Sequence, residues 1–216
     1  EVANDVVYTV VKREINGVEE RYIEKFVPIA DSDYPADYVV MDSAMIIDNV
    51  TRSKVITGLD HIKGEKVHII GDDNLFVTEG YVVSQEGALE LPYPCEKIIV
   101  GLPYQMKVEF PDIHGELKGS GSTHGKKKTL NKAILRLENS FGGQAYATDE
   151  NRKRDIFTTS PGGGNILETD LKLRLLTKYE EVNPGQDTNH TAKLVIIHEE
   201  PFPFRLSSIS REVALE

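Results

Sequence analysis

The chain has 216 residues, of which 39 % are hydrophobic and 28 % charged, and its formal net charge is −10. This length is enough for one large domain or two small ones with a core of their own, and the composition argues against wholesale disorder. The acidic excess argues against tight general binding of nucleic acid, which needs a surplus of Lys and Arg. No apolar run approaches the ~18 residues of a membrane-spanning helix, which argues against a membrane-embedded role.

A β-hairpin is the first predicted element. Asn16 and Gly17 lie between two runs rich in β-forming residues, and both tolerate the positive φ of a two-residue turn. The predicted cross-strand pairs are Ile15–Val18, Val11–Tyr22 and Val10–Ile23. The last two pairs lie on opposite faces, so we expect the base of the hairpin to be covered on both sides. The charged tip is expected to reach solvent, with Lys12, Arg13, Glu14, Glu19, Glu20 and Arg21.

Short β runs separated by turn signals continue as far as residue 103. The runs are 38–41 and 44–47 (two strands, or one interrupted at 42–43), 55–56, 66–70, 75–77, 81–83, 88–89 and 97–100. The turn signals are Gly71-Asp72, Gly80, Gly87 and the prolines Pro92 and Pro94. Strands at this spacing indicate a small barrel or sandwich.

The C-terminal half is also predicted to be β-rich. Residues 128–139 fit a strand or a helix, but Leu135 and Leu137 alternate with Arg136 and Glu138, which favours a strand. Further strands are predicted at 106–110, 167–176, 194–197 and 205–213, with 201–204 extended and edge-like because proline cannot donate to a ladder. Residues 141–165 are polar and Gly-rich and indicate a long functional or mobile loop.

The predicted fold class is therefore mainly β, with antiparallel hairpins plus a small β-barrel or sandwich domain and little helix. Three regions are expected. Residues 1–57 form the hairpin and strands of a larger sheet, 58–103 a small barrel-like domain, and 104–216 a β-rich domain with long loops that completes the sheet with the N-terminal strands.

The motifs tested for chemistry predict neither an enzyme nor a cofactor or metal site. The six histidines are scattered, and the acidic run that begins at Asp31 has Ala36 where a calcium loop needs glycine. The Gly-rich run before Lys126 resembles a phosphate loop but has Lys127 where Ser or Thr would hold magnesium. No Gly-x-Ser-x-Gly frame marks a nucleophile. Cys95 has no partner cysteine and is expected to be an ordinary thiol.

Two basic clusters are the candidate interaction sites. They are Lys126, Lys127 and Lys128, and Arg152, Lys153 and Arg154. Each is either a solvated loop end or a docking patch for an acidic neighbouring subunit or a phosphate backbone.

Several segments, in this order, carry a resemblance to a known family. Residues 8–24 are close to a hairpin of the form YVVKRxINGxxxRYIE, and 41–45 match an "LDSG" stretch except for Ala44 in place of glycine. Residues 59–67 match "LxHLxGkxV", 100–104 match "vGLPY", 125–132 match "GKKKRInrv", and 201–204 match "PlPftv". Together they resemble the C-terminal part of the nozzle proteins (tail tubular B, or tail stabilisation proteins) of short-tailed phages.

The resemblance implies a virion structural subunit, made in the bacterial host cytoplasm and placed in the tail. Six copies would form a ring with other tail proteins, such as adaptor and fibres, and DNA would pass through it without specific binding. The family's N-terminal part would lie before Glu1. Two alternatives remain, a β-sandwich surface-binding or adhesion module for carbohydrate or protein, and an enzyme whose site is assembled from distant residues. A sugar platform would need two or three tyrosines on one exposed face, whereas an assembly interface needs a broader apolar patch.

Overall fold

The computed structural model describes residues 6–72, 75–77, 80–117, 121–157, 174–185 and 188–215. The described residues form two compact units, the first ending at Tyr104 and the second beginning at Gln105. Strands dominate both units, and the helices described are three single 3-10 turns at Pro35–Asp37, Asp60–Ile62 and Glu150–Arg152. The predicted mainly β class with antiparallel sheets is confirmed, and the described sheets do not close into a barrel. None of the described helices could cross a membrane.

The first unit contains six strands. They are β1 (Tyr8–Ile15), β2 (Val18–Lys25), β3 (Asp42–Ile56), β4 (His68–Gly71), β5 (Leu75–Val77) and β6 (Leu89–Leu102). β1 pairs with β2, and the other four form an antiparallel sheet in the order β3-β6-β4-β5. These N-terminal strands pair inside the first unit, whereas we expected them to complete the sheet of residues 104–216. The division into three regions remains a prediction.

The hairpin has the predicted register. Ile15 pairs with Val18, Val11 with Tyr22 and Val10 with Ile23. Asn16 and Gly17 have φ of 49° and 75°, as a two-residue turn requires.

The predicted burial of the hairpin is wrong at its base, whereas the charged residues near the tip reach solvent as predicted, apart from the half-buried Arg13. At the base, Val10 and Ile23 are 72 % and 77 % exposed, whereas Ile15 at the tip is buried in the core of the first unit. The backbone N–H of Asn16 donates to Glu65 Oε1 at 2.6 Å. The tip is therefore held by residues far along the chain, and one face of the base is left open.

β6 crosses the position where a turn was predicted. It runs without interruption through Pro92 and Pro94, and its pairing with β3 shifts register between Asp48 and Ser53 and again between Ser53 and Val55. Bulges let a strand carry prolines because the ladder is locally unpaired there. Residues 38–41, predicted as strand, precede β3, which begins at Asp42.

The larger core cluster of the first unit lies on one face of this sheet, and a smaller cluster with Ile70 and Ile99 lies on the other. The fully or almost fully buried members of the larger cluster are Ile56, Leu59, Ile62, Val67, Ile69, Val83, Ile98 and Val100. Gly101 lets β3 and β6 approach closely, since a Cβ on it would lie 2.6 Å from Met41 Cβ.

The described part of the second unit contains ten strands. They are β7 (Met106–Glu109), β8 (Glu116–Leu117), β9 (Gly121–Ser122), β10 (Lys128–Ser140), β11 (Gln144–Tyr146), β12 (Arg154–Asp155), β13 (Leu176–Val182), β14 (Thr188–Asn189), β15 (Val195–His198) and β16 (Leu206–Leu215). β13 and β14 pair with one edge of β10 and β16 with the other, while a second sheet has the order β12-β11-β15-β7. The strands predicted at 106–110, 128–139, 194–197 and 205–213 are confirmed.

β10 organises the core of the second unit. Leu130, Ala133, Leu135 and Leu137 have no exposed surface, and they pack in one cluster with Ala145 and Ile196 of the second sheet. The alternation of leucines with charged residues in the sequence thus marks the inward face of a strand, as expected.

The prediction of a loop over residues 141–165 is wrong as far as Phe157. This part contains β11, the turn Glu150–Arg152 and β12, and the ring of Phe141 lies 5.5 Å from that of Phe202. Residues 158–165, and most of the strand predicted at 167–176, lie outside the described residues. Residues 201–204 do not form an edge strand. The side chain of Phe202 is fully buried.

Candidate functional site

The three lysines of the first basic cluster differ in burial because the cluster lies at the start of β10. Lys128 is fully buried, and its Nζ donates to the backbone oxygen of His190 at 2.8 Å. Lys127 is exposed and Lys126 is partly exposed. The cause is strand alternation, which turns the side chain of Lys128 inward together with that of Leu130. The prediction that Lys128 is a docking residue is therefore wrong.

The second basic cluster lies on a short turn that carries its own acidic partners. Asp149 Oδ1 accepts from the backbone N–H of Asn151, and Asp149 Oδ2 lies 3.7 Å from Arg152 Nε. Lys153 Nζ lies 3.0 Å from Glu150 Oε1. Arg154 is exposed and lies in β12. A docking role for Lys126, Lys127, Arg152, Lys153 and Arg154 remains a prediction.

A cleft of about 1020 Å³ opens beside the hairpin in the first unit. One side is formed by residues 22–27, which run along β2 and just beyond it, and the other by residues 39–46, at the start of β3. Thr9, Val11 and Arg13 of β1, together with His61 and Tyr104, complete the lining. The lining is mostly apolar.

A charged network crosses one end of this cleft. Arg13 donates from Nε and Nη2 to the two carboxylate oxygens of Glu24, each at 3.0 Å, and its Nη1 lies 3.3 Å from Asp42 Oδ2. Ser43 Oγ donates to Glu24 Oε1 at 2.7 Å. The hydrogen bonds from Arg13 hold the pKa of Glu24 below its usual range, despite the opposing effect of burial. The network joins the hairpin to the first residues of β3.

The geometry of the network fits a structural link between the hairpin and β3 better than a catalytic group. The Ser43 hydroxyl is held by a carboxylate that Arg13 already neutralises, and such a carboxylate is a weak general base. His61 Nε2 lies 3.0 Å from the Ser43 backbone oxygen, so this ring nitrogen bonds the main chain there. What the residues do is bind each other across two elements that are distant in sequence.

Sequence reasoning missed this network. The hairpin register places Arg13 and Glu24 on the same face, but Arg13 is opposite Glu20 and Glu24 lies four residues further along β2, beyond the usual cross-strand neighbours. No local pattern signals Asp42 and Ser43, which reach the hairpin through the tertiary fold.

The hairpin and the residues that flank it carry many exposed apolar side chains. The most exposed of these are Tyr8, Val10, Ile23, Phe26 and Ile29, with Ile29 79 % exposed, and Val6, Val7 and Val27 are also exposed. Exposed apolar patches mark interaction sites.

The most exposed tyrosines lie on three different strands. They are Tyr8, Tyr93 and Tyr179, on β1, β6 and β13 respectively. Tyr179 is already engaged, since its hydroxyl accepts from Arg136 Nη1 at 3.0 Å. The distribution fits the apolar patch of an assembly surface better than a stacking platform.

Within the described residues, potential metal ligands do not cluster and the cysteine is buried. The described residues contain no group of three or more His, Cys, Asp or Glu side chains that could hold a metal ion. Cys95 is buried, and burial raises the pKa of its thiol, which lowers its reactivity at neutral pH.

No protein-family model matches this chain, and no curated protein is similar to it at a significant level. The resemblance to the nozzle proteins of short-tailed phages therefore remains a hypothesis.

Proposed function

We propose that this chain is a structural subunit of a phage tail, a component of the nozzle or tube through which DNA is ejected. The observation that carries the proposal is the apolar surface on the hairpin, around Tyr8, Val10 and Ile23, which a structural subunit would bury against a neighbour. The resemblance adds the kind of assembly, because its first motif, residues 8–24, covers this same hairpin.

The other motifs of the resemblance fall on structural positions. Residues 59–67 span the 3-10 turn before β4, 100–104 cover the end of β6, and 125–132 cover the start of β10. The net charge of −10 supports a channel wall that phosphate does not grip. In this role the protein is made in the host cytoplasm, enters the virion tail, and meets copies of itself, the adaptor and the fibres.

The test is co-assembly with the adaptor protein encoded beside this gene. Negative-stain imaging and light scattering of the mixture should reveal rings or tubes with a mass of several copies. A protein that stays monomeric and ignores the adaptor would contradict the tail role. Binding on a glycan array would then support the alternative, a surface-binding module.

A further inference from the structure

Among the described residues, no strand pairs with either outer edge of the hairpin. Ile15 and Val18 flank a two-residue turn, so they form a hydrogen-bonded pair and every second pair after them does too. The bond from Phe26 N–H to Val7 O, at 2.9 Å, follows the same alternation.

The alternation defines which backbone groups point outward. On β1 they belong to Tyr8, Val10, Lys12 and Glu14, and along β2 to Arg21, Ile23, Lys25 and, just beyond the strand, Val27. Unprotected edges of this kind are templates for pairing with another chain. Residues 22–27, which include part of this edge, also line the cleft.

We propose that β1 of a second copy of this chain adds to the outer edge of β2, so that hairpins join head to tail into one continuous antiparallel sheet. Repeating the order β1-β2 automatically places β2 beside an antiparallel β1 of the next copy. The contact is heterologous, so it propagates from copy to copy and gives a ring when the rotation between copies closes. The inference deepens the proposed tail role and rests on it for the expectation that copies of the chain meet.

Charge argues against the unshifted register. If the copies pair with the register that β1 and β2 have inside one chain, Lys12 faces Arg21 and Glu14 faces Glu19, which are two like-charged pairs. A shift by two residues keeps each side chain on its own face and removes both conflicts. Glu14 then faces Arg21, and Tyr8 faces Val27.

The opposite shift of two residues fits less well. It also avoids like charges and places Lys12 opposite Glu19, but it places Glu14 opposite Gly17 in the turn and leaves Val27 uncovered. The first shift uses the whole edge of residues 21–27, about 20 Å at ~3.3 Å per residue, which β1 is long enough to cover. It also brings the exposed Tyr8 and Val27 together.

Disulfide trapping of the full 216-residue chain tests the pairing. Glu14→Cys and Arg21→Cys are made as separate proteins, mixed and oxidised, and a disulfide-linked dimer is expected in the mixture but in neither protein alone. Cys95 is buried and remains in all variants. A mixture of Glu14→Cys with Glu19→Cys, which reports the unshifted register, is the control and should give no dimer.

Charge reversal provides a second, independent measurement. Sedimentation of the unmodified chain should detect self-association, and Glu14→Arg or Arg21→Glu alone should weaken it by about tenfold, since one attraction becomes a repulsion. The double variant Glu14→Arg/Arg21→Glu should recover it. Any one of three results would overturn the proposal. They are the absence of a dimer between positions 14 and 21, a dimer formed by Glu14→Cys alone, and a double variant that does not recover self-association. Edge pairing without adaptor binding would contradict the tail role only.

Discussion

Gly101 shows how one residue controls the approach of two strands. A Cβ at this position would lie 2.6 Å from Met41 Cβ and 2.9 Å from the backbone oxygen of Asp42, both close to the start of β3. Neither atom is the far end of a flexible side chain, so the backbone would have to move.

Gly101→Ala should therefore destabilise the first unit by about 1–3 kcal/mol, the usual cost of overpacking. Urea unfolding followed by far-UV circular dichroism measures the change. Gly115→Ala is the matched control, because a Cβ there meets no atom within 4 Å, and its effect should stay within ~0.5 kcal/mol. Equal stability of the two variants would show that β3 can shift away from β6 without cost.

Lys128 is the second residue whose role depends on its surroundings. Truncation to Ala leaves a cavity in the second unit and removes the donor to the His190 backbone oxygen. We expect Lys128→Ala to cost about 2–4 kcal/mol, and Lys127→Ala, at an exposed position, to change stability by less than ~0.5 kcal/mol. Thermal unfolding of both variants checks the difference. A neutral Lys128→Ala would mean that the side chain is not held inside.

At the scale of elements, the hairpin is attached to its unit from one face only. The attached face carries Ile15 in the core and Arg13 in the network with Glu24 and Asp42. The opposite face carries the exposed Val10 and Ile23. Attachment at the tip and along one face holds the hairpin in place while its outer edges stay accessible.

Breaking the network should loosen the hairpin more than breaking an exposed ion pair. The side chains of Arg13 and Glu24 are 18 % and 26 % exposed, against 58 % and 61 % for the pair Lys12 and Glu19. We expect Glu24→Gln to cost about 1–3 kcal/mol because Arg13 loses its charged acceptor, and Lys12→Gln less than ~0.5 kcal/mol. Amide hydrogen exchange is the measurement, and only Glu24→Gln should speed exchange in β1 and β2. Equal protection from amide exchange in both variants would contradict the role of this network as a structural link between the hairpin and β3.

At the scale of the whole molecule, a buried histidine links stability to pH. His198 Nε2–H donates to the Phe141 backbone oxygen at 3.0 Å, and burial lowers the pKa of the ring below its ordinary value of 6.5 despite the nearby Glu200. On acidification through 6.5 the unfolded chain takes up a proton that the folded chain does not, so the folded state loses stability as the pH falls.

The expected result is a fall in the unfolding free energy of the second unit between pH 7.5 and 5.5, and a smaller fall in His198→Gln. Denaturant unfolding at several pH values measures both slopes. The unfolding free energy of each protein is compared with its own value at pH 7.5, which removes the pH-independent change in stability that the substitution causes. Identical slopes would show that His198 does not contribute to the pH dependence.

The sequence by itself determined the strand pattern and the hairpin register. Turn chemistry at Asn16-Gly17 and the alternation of Leu135 and Leu137 act over a few residues, so they can be recognised locally. The same reasoning failed at Pro92 and Pro94, where pairing with β3 outweighs the local preference of proline.

Only the tertiary structure decided which surfaces are covered. Arg13 meets Asp42 across 29 positions and Lys128 meets His190 across 62, so no local window contains either contact. For the same reason the sequence could not show that Ile15 beside the hairpin turn is buried, that the base of the hairpin is open, or that one lysine of the basic run points inward. Burial is a property of pairs of distant segments, and the candidate interaction surface of this protein depends on it.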